Sequence, residues 1–354
     1  MEFRILNKDL LDVDILDTYE SMIWTDRYSR FGDFEFYIPA NRKTLELLKE
    51  DYYIWHRDSE HIMIIEDRMI DTNAEEGNFI TVTGRSLESI LDRRIIWQQT
   101  VLTGNLQNGI QKLLNENIIA PTDPNRKIDN FIFETSSDPN ITSLTINTQF
   151  TGDNLYDAIV SLCETNEIGF KVTLSDDNKF VFKLYAGQDR SYDQIHNPYV
   201  VFSPGFDNLL NTNYVESKKN LKTVTLVAGE GEGLERRTTT VGGGSALDRR
   251  ELYTDARDLR TGTSEGELTE AEYLAQLEER GIEKLSEHQI SQVFDGQTEN
   301  LIMFKYGVDY FMGDIIQLEN EYGVMSKSRV TELIHSHNSE GVNIYPTFVN
   351  MKTV

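Results

Sequence analysis

A chain of 354 residues with 59 acidic and 34 basic side chains, formal net charge −25, is too long for one ordinary core. That acidity excludes a conventional nucleic-acid reader, which neutralises phosphates with basic patches, and argues against docking on anionic lipid. Hydrophobic content of 39% is that of a globular chain, the lone Cys163 excludes an internal disulfide, and no stretch approaches an apolar membrane span.

The first hundred or so residues read as mainly β, a domain expected over 1–100. Glu2, Asp9, Asp12 and Asp14 interrupt any signal-peptide core, so synthesis in a reducing cytoplasm is expected. Strands are predicted over 3–6, 14–17 and 21–25. A turn at Gly32-Asp33 then leads into a run in which Phe34, Phe36 and Ile38 alternate with Glu35 and Tyr37, so one face can bury. Pro39, which cannot donate to a ladder, ends it. A short helix is predicted over 44–49. Aromatic and β-branched runs at 52–56 and 61–67 flank a polar turn and predict a hairpin. A strand at 79–84 and a helical turn at 86–91 follow.

The middle of the chain, 101–198, mixes element types and predicts an α+β domain. Leu106, Ile110, Leu113 and Leu114 mark an amphipathic helix over 102–117, and 121–130 is loop. Leu155, Ala158, Ile159 and Leu162 mark a second helix that starts near Gly152-Asp153 and ends at Gly169. Strand, turn and strand follow at 170–174, 176–178 and 180–185.

The remainder, 199–354, is expected to be β-rich with a helical insertion around 267–290. Strands are predicted over 200–202 and 223–228. Ala228-Gly229-Glu230-Gly231-Glu232-Gly233 is read as a turn, because strand-like residues follow where a phosphate loop would need a helix. Thr269-Glu270-Ala271-Glu272 is a capping box opening a helix whose apolar face carries Tyr273, Leu274, Leu277, Ile282 and Leu285, with Gly281 weakening it. Further strands are predicted over 301–306, 315–318, 327–333 and 342–345. The whole predicts a multidomain, β-rich α+β fold.

No motif points to chemistry. His335-Ser336-His337 would place two imidazoles on one strand face, but no third or fourth ligand accompanies them, so they read as exposed strand-end residues. Asp153, Asp157, Glu164 and Glu167 read as helix-surface carboxylates, Cys163 as inert core, and no nucleophile elbow is present. No enzymatic activity, cofactor or metal is expected. The dense run from Asp248 to Asp258 is either a solvated edge or a seam in which arginine forks meet carboxylates.

The segment Arg27-Tyr28-Ser29-Arg30-Phe31-Gly32-Asp33-Phe34-Glu35-Phe36-Tyr37-Ile38-Pro39 resembles the opening of tail hub proteins from phages of Gram-positive bacteria. Thr83-Gly84-Arg85-Ser86-Leu87-Glu88, Asp189-Arg190-Ser191, Phe202-Ser203-Pro204-Gly205-Phe206-Asp207-Asn208-Leu209 and Gly307-Val308-Asp309-Tyr310-Phe311-Met312-Gly313-Asp314-Ile315 resemble later parts of the same family in order.

The resemblance implies a hub at the tip of a non-contractile tail, similar in fold to the hub of contractile tails, with two tail-tube-like β-barrel or sandwich domains plus smaller α+β domains. It implies a homotrimer mating with a hexameric distal tail or tail-tube protein on one side and with tip, fibre or receptor-binding proteins on the other. DNA or tape-measure protein would pass through the lumen without specific nucleic-acid recognition. The protein would reside at the virion tail tip after synthesis in the bacterial host cytoplasm. Many relatives carry a long C-terminal lytic or receptor-binding extension; this sequence ends at Val354, and a bare structural hub is expected.

A closed ring needs edge strands that are paired or covered. Arg27, Arg30, Gly32, Asp33, Phe34, Glu35, Arg249, Arg250, Asp255, Arg257, Gly313 and Asp314 are therefore the expected inter-subunit or tube-facing residues. The net charge would line the channel wall. The alternatives are a tail-associated cell-wall hydrolase and an adhesin binding host glycan through exposed Trp and Tyr.

Overall fold

The computed structural model describes residues 2–350 apart from 76, 264–265, 299–302 and 340. Strand exceeds helix, 41% against 21%, over several sheets, so the protein is multidomain, β-rich and α+β.

Strand Asp33–Pro39 buries Phe34, Phe36 and Ile38 and turns Glu35 and Tyr37 outward, as its alternation dictates. It lies between Ser21–Arg27 and Gly77–Ser86, both antiparallel. Met63–Asn73, Tyr53–Trp55, Phe3–Leu6 and Asp12–Leu16 extend the sheet in that order. Together they enclose a core that includes Phe3, Trp24, Phe36, Ile54, Ile65 and Val82. The short helix is Arg42–Leu47, and Asn41 closes a capping box with Thr44.

On its other side Ser21–Arg27 pairs with Met325–Asn338, from the far end of the chain, in the register Arg27↔Glu332 to Met22↔His337. The first part of that long strand pairs instead with Ile315–Glu319, while Gly341–Asn350 runs along its other side. One strand thus serves two β-modules. The second module has its own core of Phe202, Tyr310, Ile316, Leu318, Val330 and Phe348. Ser291–Thr298 and Leu209–Ser217 complete the path, so the sheet runs unbroken from Asp12–Leu16 at one edge to Leu209–Ser217 at the other.

In the α+β module the predicted helix over 102–117 is divided. Thr100–Asn105 is a strand paired with Thr145–Phe150, and the helix is Leu106–Leu114, capped by Asn105 and followed by a π turn, Asn115–Ile119. Leu102 and Leu106 share helical spacing, but a polar strand distant in sequence claims the first of them. Helix Leu155–Thr165 ends before Gly169: Glu167 takes the left-handed conformation at φ 56, and Gly169 opens the next strand.

A small insertion forms on Val224–Ala228, with Thr238–Gly242 antiparallel and Glu251–Asp255 parallel to it. Helix Glu270–Ser286 covers this sheet through Tyr273 and Leu277, which meet Val227, Ala256 and Leu259. Gly281 does more than weaken the helix. A Cβ there would lie 2.5 Å from Val241 and 2.9 Å from Val227, so glycine sets how closely the helix approaches. Ile282, expected on the apolar face, is half exposed. Of the strand expected over 301–306, residues 301–302 lie outside the described residues, and 303–306 hold only an isolated bridge between Tyr306 and Tyr310.

Candidate functional site

The three larger modules meet at Tyr28, the residue that follows strand Ser21–Arg27. Its backbone N–H donates to the Thr331 carbonyl at 2.9 Å, and its carbonyl accepts from the Phe170 N–H and the Tyr185 hydroxyl, both at 3.2 Å. Its hydroxyl donates to the Glu167 carbonyl at 3.3 Å and accepts from the Gly187 N–H at 3.4 Å. The Tyr185 ring meets it edge-on, and the Arg329 guanidinium lies 5.4 Å from its centroid. Burial pushes the Tyr28 hydroxyl above the ordinary phenol range.

Glycines make room for this ring. A Cβ on Gly169 would lie 2.5 Å from ring carbons and one on Gly313 only 2.2 Å, and Gly313 also has φ +88.

The neighbouring residues reach across the same junction. Arg27 Nε donates to Glu332 at 2.6 Å, and its Nη1 donates to Asp33 at 2.7 Å and to the Phe31 carbonyl at 3.1 Å. Arg30 forks onto Glu164 at 2.6 and 3.2 Å. The Phe31 N–H donates to the Tyr156 hydroxyl at 3.0 Å, and the two rings stack with centroids 4.8 Å apart. The Gly32 N–H donates to Ser86 Oγ at 2.7 Å. A Cβ on Gly32 would sit 2.1 Å from the Thr25 carbonyl oxygen, which fixes glycine there. Arg329 donates to the Gly313 carbonyl at 2.8 Å and to Glu167 at 3.3 Å. The result is a cleft of about 400 Å³ lined by Arg27, Arg30 and Arg329 and by Glu164, Glu167 and Glu332. Guanidinium–carboxylate pairs of this kind can set the register between parts.

Behind the cleft, Asp314 accepts from Arg190 Nε at 2.6 Å, the Gln188 N–H at 2.7 Å and the Phe311 N–H at 3.0 Å. This buried ion pair joins two segments that are far apart in the sequence.

The expected interface residues therefore fall into groups. Arg27, Arg30, Gly32, Asp33 and Gly313 gather around the joint, with Asp314 beside it. Gly32, Phe34, Gly313 and Asp314 are buried within the protomer, whereas they were expected to be inter-subunit or tube-facing. Glu35 faces outward from its strand. Arg249, Arg250, Asp255 and Arg257 lie on the insertion, away from the joint. There Arg249 pairs with Glu251 at 2.6 Å, Arg250 donates to the Lys218 carbonyl, and Asp255 holds Arg236 at 2.7 Å and Arg257 at 2.6 Å. Hydrogen bonds from the two arginines hold the Asp255 carboxyl down at about 2.

Sequence reasoning missed Tyr28, Arg190, Arg329 and Glu332, and took Glu164 and Glu167 for plain surface. The available signal was the density of Arg and Gly in segments that share one family resemblance.

The histidines also differ from expectation. His335 is buried, with its ring centroid 5.9 Å from that of buried His56, because the strand carrying it is interior to the sheet. Burial, with His335 adding to it, pushes His56 down to about 3. His337 Nδ1 lies 2.7 Å from the Tyr19 hydroxyl. Buried His61 faces buried Glu88 at 3.1 Å; burial opposes its charge, but Glu88 outweighs it and raises His61 to about 9. Among the described residues no cluster of His, Cys, Asp and Glu could hold a metal ion, and no helix is long and apolar enough to cross a membrane.

No curated protein matches the chain. Among solved structures it is similar to the prophage tail protein gp18 of Listeria monocytogenes EGD-e, at 11% identity and TM-score 0.58 over 100% of this chain and 96% of that one. It is similar to the 43 kDa tail protein of prophage MuSo2 from Shewanella oneidensis, at 12% identity and TM-score 0.59 over 99% and 98% of the two chains. A tail protein of Neisseria meningitidis MC58 matches at 11% identity and TM-score 0.54 over 99% and 96%. At such identities the likeness is one of fold, and it extends through all the modules joined at Tyr28. The family model described as siphovirus ReqiPepy6 Gp37-like protein matches residues 2–348, and with nearly the whole sequence covered, the chain belongs to that family.

Proposed function

We propose that this protein is the tail-tip hub of a siphophage or phage-tail-like particle, a non-enzymatic trimeric ring that joins the tail tube to the tip and gates the DNA channel. A structural role in a phage tail follows from the family; the ring, its position and its gating are the further reading. One observation carries it: a continuous sheet through two β-modules with an open edge on each, Asp12–Leu16 and Leu209–Ser217. Beside the first edge Leu11, Val13 and Ile15 are 58%, 48% and 36% exposed. Asp12 and Asp14 lie on the same strand, paired with Arg4 and Lys43, but exposed apolar side chains on an edge strand remain a liability on an isolated protomer, and proteins manage such edges by pairing or covering them as well as by charge.

Head-to-tail pairing of one edge with the other on the next copy closes a ring when the rotation permits. Three copies then present six β-modules to a hexameric distal tail or tail-tube protein. The joint at Tyr28 makes each protomer a stiff wedge. The domain division 1–100, 101–198 and 199–354 belongs to this reading, as do fibre or receptor-binding proteins on the far side and an acidic lumen for DNA or tape-measure protein.

The test is the mass in solution by light scattering, with and without the hexameric neighbour. A trimer is expected, and Val13→Lys, which places a charge on the edge, should yield protomers of unchanged thermal stability. A wild-type monomer under both conditions overturns the reading.

A further inference from the structure

In a chain with 59 acidic and 34 basic side chains, a group of arginines without carboxylate partners is conspicuous. Arg93, Arg94 and Arg126 form such a group where the first module runs into the α+β module. Arg94 donates to the carbonyls of Arg126 at 3.0 Å and Arg93 at 2.9 Å. Arg126 donates to the Ile95 carbonyl at 2.6 Å and to Asn117 Oδ1 at 3.0 Å. Among the described residues none of the three makes an ion pair. Burial, then the charges of Arg126 and Arg93, pushes Arg94 below the ordinary guanidinium range.

The carboxylates that share the clefts around these arginines, and Asp51 beside Arg93, each bond another group: Asp51 pairs with Lys8 at 2.7 Å. Asp92 accepts from Arg85 and Asn154, each at 2.9 Å; Glu116 accepts from the Thr100 hydroxyl at 2.5 Å; Asp123 caps the short helix Pro124–Arg126.

Trp97 stands beside these arginines, 66% exposed, with the Arg126 guanidinium 5.3 Å from its ring. Two adjoining clefts, of about 410 and 370 Å³, share Trp97, Asp123 and Arg126. The π turn Asn115–Ile119 sets Asn117 into the floor, where its side chain donates to the Leu113 carbonyl at 2.9 Å and accepts from Arg126. Single π turns of this sort are frequent at functional sites. Gln98 and Thr122 add polar groups to the rim.

An exposed indole offers a flat apolar surface to the C–H face of a sugar ring, and guanidinium forks match the oxygens of a phosphate or carboxylate. A neutral sugar would make no use of the three guanidinium groups, none of which makes an ion pair among the described residues. A long nucleic acid would have to approach against a net charge of −25.

We propose that this cleft binds an anionic saccharide, a sugar ring bearing a phosphate or carboxylate, with Trp97 stacked on the ring and Arg93, Arg94 and Arg126 holding the acidic group. The site does not depend on ring formation, so a monomeric protein leaves the proposal standing.

The test is a fluorescence titration of the full chain at constant salt with glucose 6-phosphate, glucose, inorganic phosphate, a phosphodiester-linked wall polysaccharide and a thymidine oligonucleotide. Glucose 6-phosphate should bind at least tenfold more tightly than glucose or phosphate. Trp97→Ala should abolish binding, and Arg93→Gln should weaken it several-fold with no change in Tm. Tighter binding of the polysaccharide would identify a surface polymer as the source, and parity a free sugar phosphate. Equal affinity for glucose and glucose 6-phosphate, tighter binding of the oligonucleotide, or no response up to about 10 mM, the weak end of specific recognition, overturns it.

Discussion

Replacing Gly313 with Ala tests whether the modules are joined by the fit around Tyr28. The added methyl would lie 2.2 Å from Tyr28 Cε2, with further ring carbons at 2.8 Å, and the backbone there has φ +88. Overpacking of a filled site costs about 1–3 kcal/mol. Holding Ala in the left-handed region adds about 1–2 kcal/mol. The sum, about 2–5 kcal/mol, is a large part of a domain's usual margin of about 5–15 kcal/mol.

Gly307→Ala is the control, because Gly307 has φ +80 and a Cβ added to it would meet nothing within 4 Å, so it carries the backbone cost alone. Tyr28→Ala is the second arm. With the ring gone, Gly313→Ala should cost little more than Gly307→Ala, giving a coupling energy of about 1–3 kcal/mol in the double-mutant cycle. Calorimetry suits a multidomain chain, since it resolves separate transitions. The transition of the second β-module should fall, and proteolysis should open the chain near 187–190. If Gly313→Ala matches Gly307→Ala to within about 0.5 kcal/mol, the joint is not built on ring packing.

Acid should weaken the protein through His56. The unfolded chain takes up this proton near 6.5 and the folded chain only near 3, so the neutral imidazole's contribution is intact above 6.5 and is lost as pH falls between those values. At pH 4.5 the loss is about 3 kcal/mol, and His56→Phe should flatten the profile of Tm against pH in that window. The Arg190–Asp314 pair should be asymmetric to mutation: Arg190→Ala leaves a buried carboxylate uncompensated and should cost about 3–5 kcal/mol in a denaturant titration. Arg190→Met combined with Asp314→Leu should recover most of that loss.

Much of the architecture was legible because it rests on short-range periodicity. Phe34, Phe36 and Ile38 alternate, and that alone buries one face of their strand. Thr269 and Glu272 form their capping box from neighbouring residues, and Asn178 supplies the φ 59 of its hairpin turn. The resemblance of the 27–39 segment identified the family. The strand Thr145–Phe150 escaped notice because its polar side chains give no clear alternation. The candidate site was legible in its residue types and not in its roles.

Arg27, Arg30, Gly32 and Gly313 were singled out from sequence as contacts to other subunits; the structure packs Gly32 and Gly313 against Thr25 and Tyr28 and pairs half-buried Arg27 with Glu332 and exposed Arg30 with Glu164 within the protomer. An arginine or glutamate is equally satisfied by water or by a partner, so its own position in the sequence does not specify which. That choice is made only when Met325–Asn338 crosses back to lie beside Ser21–Arg27. Local patterning determined which segments became strands and helices; long-range pairing, paid for by burial of both module cores, decided which charges meet and where the chain is held together.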